Sequence, residues 1–382
     1  MLKLPENFET FNEARQSGFM KMKKLKENGG RVIGIYCSFV PLELIMAAKA
    51  APVSLCATSE EPINAAEAHL PRNLCPLIKA SYGFALTDTC PYFYFSDLIV
   101  GETTCDGKRK MFELMNELKE TYVMKLPNHR DEIALTSWEH EMVRFKEKLE
   151  SFYNITITED EIKKNIELKN IERESVLKFL ELGKLDPSPI SGYELGTKLD
   201  SLSFMPDINE RIAQIEARTE EVLRDWEENY KGKPSKRPRI LVTGCPNGGV
   251  RDKTVKALEE LGADVVAFDA CNATREKIEK VDPNLPPYEA LAKKYLNINC
   301  SIMSPNTARL DYIREMIDEY HVDGVLEIIL QACHTFAIES HYVKKAVTDK
   351  GKSYIMIETD YSKADIGQIN TRLEAFLETI DK

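Results

Sequence analysis

The sequence predicts an α/β protein: two Rossmann-like parallel-sheet domains related by pseudo-symmetry, with a helical insertion between them. Three observations predict this. Short apolar runs rich in Val and Ile alternate with helical patterns at both ends of the chain. The middle is charged and periodic at helical spacing alone. Several strand-like runs in both halves finish on a cysteine. Strands alternating with helices mean βαβ units and a parallel sheet.

The first domain is expected over residues 1–132. Residues 8–28 read as an amphipathic helix that stops at Gly29-Gly30. RVIGIYC is a buried-strand pattern ending in Cys37, and PLELIMAAKA is helical with its proline placed early. APVSLC is a strand ending in Cys56, and a helix follows Cys75. LIVGETTC is a strand ending in Cys105, GKRKMFELMNELKE is its helix, and TYVMKLP is one more strand. Residues 133–237 form the helical insertion, with runs such as TSWEHEMVRFKEKLESFY and PDINERIAQIEARTEEVLRDWEENY, and YKGKPSKRP reads as a linker. The second α/β domain covers 238–382. RILVTGC ends in Cys245, ALEELGADVVAFDAC gives a helix and a strand ending in Cys271, and YEALAKKYLNINC is a helical stretch before Cys300. VDGVLEIILQAC ends near Cys333, HTFAIESHYVKKAV continues as a helix, and KSYIMIETD with TRLEAFLETI closes the chain.

The chain has 382 residues, 43% hydrophobic and 30% charged, enough for two or three ordinary cores. A formal charge of −11 argues against non-specific nucleic-acid binding. The basic runs Lys23-Lys24 and Lys108-Arg109-Lys110 read as solvated helix faces. No apolar run is long enough to span a bilayer, and the first 30 residues carry no apolar signal core, so a cytoplasmic location is expected.

Nine cysteines, an odd number and without a CxxC pair, disfavour a disulfide framework in that compartment. Buried core residues, a catalytic thiol or metal ligands remain. The two α/β domains repeat the pattern: RVIGIYC matches RILVTGC, VSLC matches VVAFDAC, RNLC matches INC, and LIVGETTC matches VLEIILQAC. Cys75 and Cys105 lie 30 positions apart, and Cys300 and Cys333 lie 33 apart. Open parallel sheets bind ligands outside the carboxyl ends of their strands. Helices starting there point N–H groups and a positive dipole end at anions, thiolates included. Thiolates with only six His in the chain favour an iron–sulfur cluster over zinc, whose structural sites use short C-x₂₋₄-C pairs. Cys56 and Cys271 read as strand-end core residues, and Cys90, in TCPYFYFSD, as packing among aromatics. That leaves Cys37, Cys75 and Cys105 with Cys245, Cys300 and Cys333, a number that suits two cubanes of three ligands each.

At these residues the chain resembles a known family. LPRNLCPLIKASYGFALTDTCPYFYFSDLIVGETTCDGKRKMFELM, CSFVPLELIMAAKAAPVSLC and YIMIETDYSKADIGQINTRLEAFLE are similar to the 2-hydroxyacyl-CoA dehydratase and benzoyl-CoA reductase superfamily, and within it to double-cubane cluster proteins. The likeness is weakest in the helical middle. Dehydratase subunits hold one [4Fe-4S] cluster with three cysteines, which Cys75, Cys105 and Cys333 match. Double-cubane proteins hold an [8Fe-9S] cluster, two [4Fe-4S] units joined by a sulfide, with six. The resemblance implies an iron–sulfur oxidoreductase that receives electrons from an ATP-hydrolysing partner reductase, reduces small molecules such as acetylene, and forms a homodimer. A dehydratase subunit with one [4Fe-4S] cluster and a different second subunit is the alternative.

Four further features bear on the site. GCPNGGVRDKT has the outer glycine spacing of a P-loop at Gly244 and Gly249, but Val250-Arg251 replace its Lys-Ser/Thr, so it reads as a glycine-rich turn with backbone close to a cluster. Glu102 and Glu327, on strands leading to Cys105 and Cys333, are candidate proton donors, or else buried acids bonded to helix N–H groups. His334 is a candidate donor to a cluster sulfide, or a solvated first residue of a helix. Arg72 is a candidate for balancing cluster charge, or a surface residue.

Overall fold

Eight strands form in the computed structural model, which describes residues 2–380. β1 (Arg31–Ile35), β2 (Ala50–Ser54), β3 (Leu98–Glu102) and β4 (Thr121–Met124) make one sheet in the order β2-β1-β3-β4. β5 (Arg239–Gly244), β6 (Asp264–Phe268), β7 (Gly324–Leu330) and β8 (Ser353–Thr359) make a second in the order β6-β5-β7-β8. Every pairing is parallel. Each sheet therefore has its switch point between the first strand and the third, with β1 and β5 central. β3, β5 and β7 are buried along their whole length, which is why their sequences are continuous apolar runs rather than alternating ones.

The chain divides into two compact units, one of residues 1–170, 203–207 and 280–298, the other of 171–202, 208–279 and 299–382. The long helices of the middle are shared between them. Helix Glu132–Tyr153 packs on helix Pro287–Leu296 in the first unit, where the Arg130 guanidinium donates to the carbonyls of Leu296 (3.2 Å) and Ile298 (3.0 Å). Helices Gly192–Leu202 and Ile208–Asn229 belong to the second unit. There Arg173 bonds Glu276 at 2.8 Å and Arg211 bonds Glu172 at 2.5 Å, all four side chains buried.

The opening helix is shorter than the periodicity over 8–28 suggests. A single turn at Phe8–Thr10 precedes it, and the Asn12 side chain accepts from Arg15 N–H to start the helix at Glu13. It ends before Gly29, whose φ of +79° continues the chain in the left-handed region. Its buried face sets Phe19 and Met22 against Phe11, Val32, Val53 and Phe95. Phe11 and Phe19 stack at 5.3 Å, and Phe19 is wholly buried, a contribution of about 2–3 kcal/mol. In the second unit Leu241, Val266 and Val325 meet Ile313, Met316 and Val343. No helix among the described residues is long and apolar enough to cross a membrane.

Candidate functional site

In the first unit, β1 ends under a buried tyrosine. Tyr36 N–H donates to Val100 at 3.0 Å, prolonging the ladder, and Cys37 then turns at φ +71°. A non-glycine residue in that region carries a cost of about 1–3 kcal/mol, so the turn is held by its surroundings. Cys56 lies just past β2, half-buried. Cys75 and Cys105 are the N-cap residues of helices Pro76–Leu86 and Asp106–Leu118, and neither side chain caps its helix. Both thiols therefore stand at helix ends whose first N–H groups have no partner within the helix. The two helices approach closely, since a side chain on Gly107 would press on Ile78 and Leu74. Cys90 caps the short helix Pro91–Phe95, half-buried.

The sequence puts Lys108 on a solvated face, but it is buried, one turn into the helix that follows Cys105, with its ammonium 5.9 Å from the centre of the Tyr36 ring. Burial alone would lower its pKa. The neighbouring Cys56, Cys37, Glu102 and Cys105 outweigh this and raise it well above the ordinary value. Glu102 ends β3, wholly buried. Its Oε1 accepts the Phe39 N–H at 3.0 Å, and Oε2 has no hydrogen-bond partner. Burial pushes its pKa up to about 8, against the opposing pull of Lys108 and backbone N–H groups. It is therefore largely protonated at neutral pH. Arg72 extends into solvent and pairs with Glu67 at 3.5 Å, as a surface residue does.

In the second unit, β5 ends at Gly244 with φ +106°, and a side chain there would collide with the Ile328 carbonyl. Only glycine fits, in line with the glycine-rich turn expected at GCPNGG. Lys253 of the same segment bonds Asp365 and the Ser362 carbonyl, each at 2.6 Å, so it is committed to the fold rather than to phosphate. Cys245 is buried, and its sulfur accepts the Leu330 N–H at 3.3 Å. Cys333 is the N-cap of helix His334–Thr348, again without capping through its side chain. Cys300 is buried but caps nothing, because the next helix starts at Thr307. The match of RNLC with INC thus places a thiol, not a helix start. His334 is exposed at the first turn of its helix.

The sequence places Cys271 and Cys56 in the core; both stand half-buried beyond strand ends instead. Arg275 is buried behind Cys271, with Nη1 3.7 Å from the sulfur. Its Nε donates to Asp269 Oδ1 at 2.7 Å and its Nη2 to the Gly244 carbonyl at 3.0 Å. Arg309 holds the other Asp269 oxygen at 3.0 Å and Thr243 at 2.7 Å, and also pairs with Glu339. Burial opposes ionisation of Asp269, yet Arg275 and Arg309 hold its pKa far below the usual range. Cys300 is pushed up to about 12 by burial and by Cys271, with Arg275 pulling the other way. Glu327, in β7, accepts from Tyr354 at 2.7 Å and lies 3.7 Å from Arg309. Burial raises its pKa to about 6, with Arg309 and Tyr354 opposing.

Sequence reasoning missed Lys108 and Arg275. The signal for Arg275 lies in DACNATR, where an acid and a base bracket the cysteine; for Lys108 it is masked by the run of basic residues. Among the described residues, no group of three or more His, Cys, Asp or Glu side chains is arranged to hold a metal ion. A cubane asks for something different, one thiolate for each ligated iron rather than several thiolates on one ion. Thiols at strand ends and at helix starts, outside any disulfide and not spent on capping, fit that demand.

The chain is similar to known proteins over nearly its whole length. The profile of the family described as 2-hydroxyglutaryl-CoA dehydratase, D-component, matches residues 37–380. A putative dehydratase subunit of Escherichia coli K12, YjiM, is 48% identical over 99% of this chain and 98% of its own. The (R)-phenyllactyl-CoA dehydratase beta subunit of Clostridium sporogenes is 24% identical over 94% of each chain. One subunit of the benzoyl-CoA reductase of Thauera aromatica is 23% identical over 75% of this chain and 70% of its own. The chain belongs to the 2-hydroxyglutaryl-CoA dehydratase D-component family, within the 2-hydroxyacyl-CoA dehydratase and benzoyl-CoA reductase superfamily.

Proposed function

We propose that this chain is an iron–sulfur oxidoreductase that uses Cys37, Cys75, Cys105, Cys245, Cys300 and Cys333 to hold an [8Fe-9S] double-cubane cluster. Electrons come from an ATP-hydrolysing partner reductase and pass to small molecules. One observation carries the reading: each unit sets three cysteines beyond the strands or at helix starts, and Cys37 and Cys245 follow the same central strand of matching sheets. When bound, such a cluster supplies low-potential electrons. The helices after Cys75, Cys105 and Cys333 would each offer their own thiolate the open N–H groups of a first turn, which favour negative charge. Glu102 keeps a proton on its carboxyl at neutral pH, with Phe39 fixing Oε1 and Oε2 left as the oxygen from which a proton is given. Glu327 is tied to Tyr354 and Arg309 and holds its place in the sheet. His334, in solvent beside Cys333, is a second proton donor.

The names of the relatives favour a second reading, a dehydratase subunit with a single [4Fe-4S] cluster. Anaerobic purification with iron and sulfide analysis separates the two. About eight irons per chain supports the double cubane, and about four the single cluster. A folded chain that takes up no iron overturns both. Cys245→Ser and Cys37→Ser sharpen the result, because the three-cysteine match uses neither residue.

A further inference from the structure

We propose that Lys108 in the first unit and Arg275 in the second are positioning cations, each set against its own unit's strand-end sulfurs so that a bound cluster is easier to reduce. The inference rests on the iron–sulfur reading above. Both residues are buried, and both lie behind half-buried cysteines past the ends of neighbouring strands.

Lys108 sits one turn beyond Cys105, over the ring of Tyr36, the residue before Cys37. Cys56, Cys37 and Cys105 all act on its charge. Arg275 reaches the same kind of place by different means. Asp269 and the Gly244 carbonyl fix two of its nitrogens, and Nη1 is turned to Cys271. Arg309 shares Asp269 but is also taken by Thr243 and Glu339, so Arg275 is the guanidinium with an edge left for sulfur. Asp269 acts most strongly on its charge, and Cys271 and Cys300 act after it.

The physical consequence concerns one electron. A cluster that accepts an electron gains one negative charge and no atom. A fixed cation stabilises the more negative form more than the less negative one, and burial weakens the screening between them. The midpoint potential rises accordingly, so the partner has less work to do. Arginine is the form suited to a fixed site, because its planar fork is held by several partners at once, whereas lysine is a point charge on a flexible stem.

The test is an anaerobic redox titration with titanium(III) citrate, followed by electron paramagnetic resonance, on the iron-loaded full chain. The variants are Lys108→Met, Lys108→Arg, Arg275→Gln and Arg275→Lys, with the exposed Lys344→Gln as control. Lys108→Met and Arg275→Gln are expected to move the midpoint to more negative values at unchanged iron content. Lys108→Arg returns most of the shift, Arg275→Lys returns only part of it because the fixed fork is lost, and the control does not move. Midpoints of loaded Lys108→Met and Arg275→Gln that match the control overturn the inference. A shift in one alone overturns it for the other residue. If Arg275→Gln does not fold, Arg275→Lys decides: a midpoint more negative than wild type supports the role, because lysine keeps the charge without the fixed fork, and no change overturns it. A folded wild-type chain without iron overturns the reading beneath it instead.

Discussion

The two units are built on one plan, yet their buried glutamates do not occupy the same place. Ile35 pairs with Val100 in the first sheet and Thr243 pairs with Glu327 in the second. With Cys37 set on Cys245, Glu327 therefore corresponds to Val100, and Glu102 lies two residues further along its strand. Two residues keep the side chain on the same face and move it about 6.6 Å toward the strand's carboxyl end. Glu102 thus reaches the loop behind Cys37, where it meets Phe39 N–H and Lys108. Glu327 stays within the sheet, bonded to Tyr354 beside Arg309. A repeat that preserves strand order and cysteines does not preserve what surrounds them. The first unit places an acid at the sheet end with few partners; the second locks its acid into a network of buried charges.

Breaking that network should give the largest difference between the units. Arg309→Met takes the buried guanidinium from Glu339, which keeps Asn306, and removes one of the two guanidinium groups on Asp269. Removing one member of a buried ion pair costs about 3–5 kcal/mol. Urea denaturation of the full chain should show a loss of that size, against a clearly smaller one for Lys108→Met, whose ammonium has only a ring and electrostatic neighbours. Equal losses would mean that the second unit's charges are no more structural than the first's.

The turn after the central strand gives the next largest effect. In the first unit the left-handed residue is Cys37 itself, at φ +71°; in the second it is the preceding Gly244, at φ +106°. Gly244→Ala puts a methyl group against the Ile328 carbonyl and should cost at least about 2 kcal/mol. Cys37→Gly removes strain instead and should stabilise the apoprotein slightly. Thermal melts of the two variants test the contrast, which fails if Gly244→Ala melts like wild type.

Much of this architecture was legible. VIGI, LIVG and VLEIIL are apolar runs of strand length followed by helical periodicity, and parallel sheets follow from that alternation. The cysteines marked the strand ends because a thiol there interrupts an otherwise aliphatic pattern. What the sequence hid was register. LIVGE and VLEIIL each contain one glutamate, and only the pairing with the central strand reveals that they are offset. It also hid Lys108, since a base in Lys-Arg-Lys is surface by composition and becomes core only through the helix face it occupies. Cys271 and Arg275 lie four residues apart, but their contact depends on a kinked turn over Cys271–Arg275, broken by the non-helical Ala273, that propensity does not specify.

The pH dependence of stability is the finest test of the offset. A carboxyl with a raised pKa in the folded protein holds a proton that the unfolded chain has already released. Its stabilising contribution is full below the unfolded pKa, about 4.3, and is lost as pH rises, at most about 1.4 kcal/mol per unit. The loss continues to about pH 8 for Glu102 and stops near pH 6 for Glu327. Glutamine at either position removes the titration. The melting temperature of Glu102→Gln should therefore climb relative to wild type throughout pH 5–8. Glu327→Gln should gain only up to about pH 6 and then run parallel to wild type, at an offset set by the weakened contacts to Tyr354 and Arg309. Parallel profiles for both variants between pH 6 and 8 would place the two acids in equivalent surroundings, and the one-pleat displacement would then carry no electrostatic consequence.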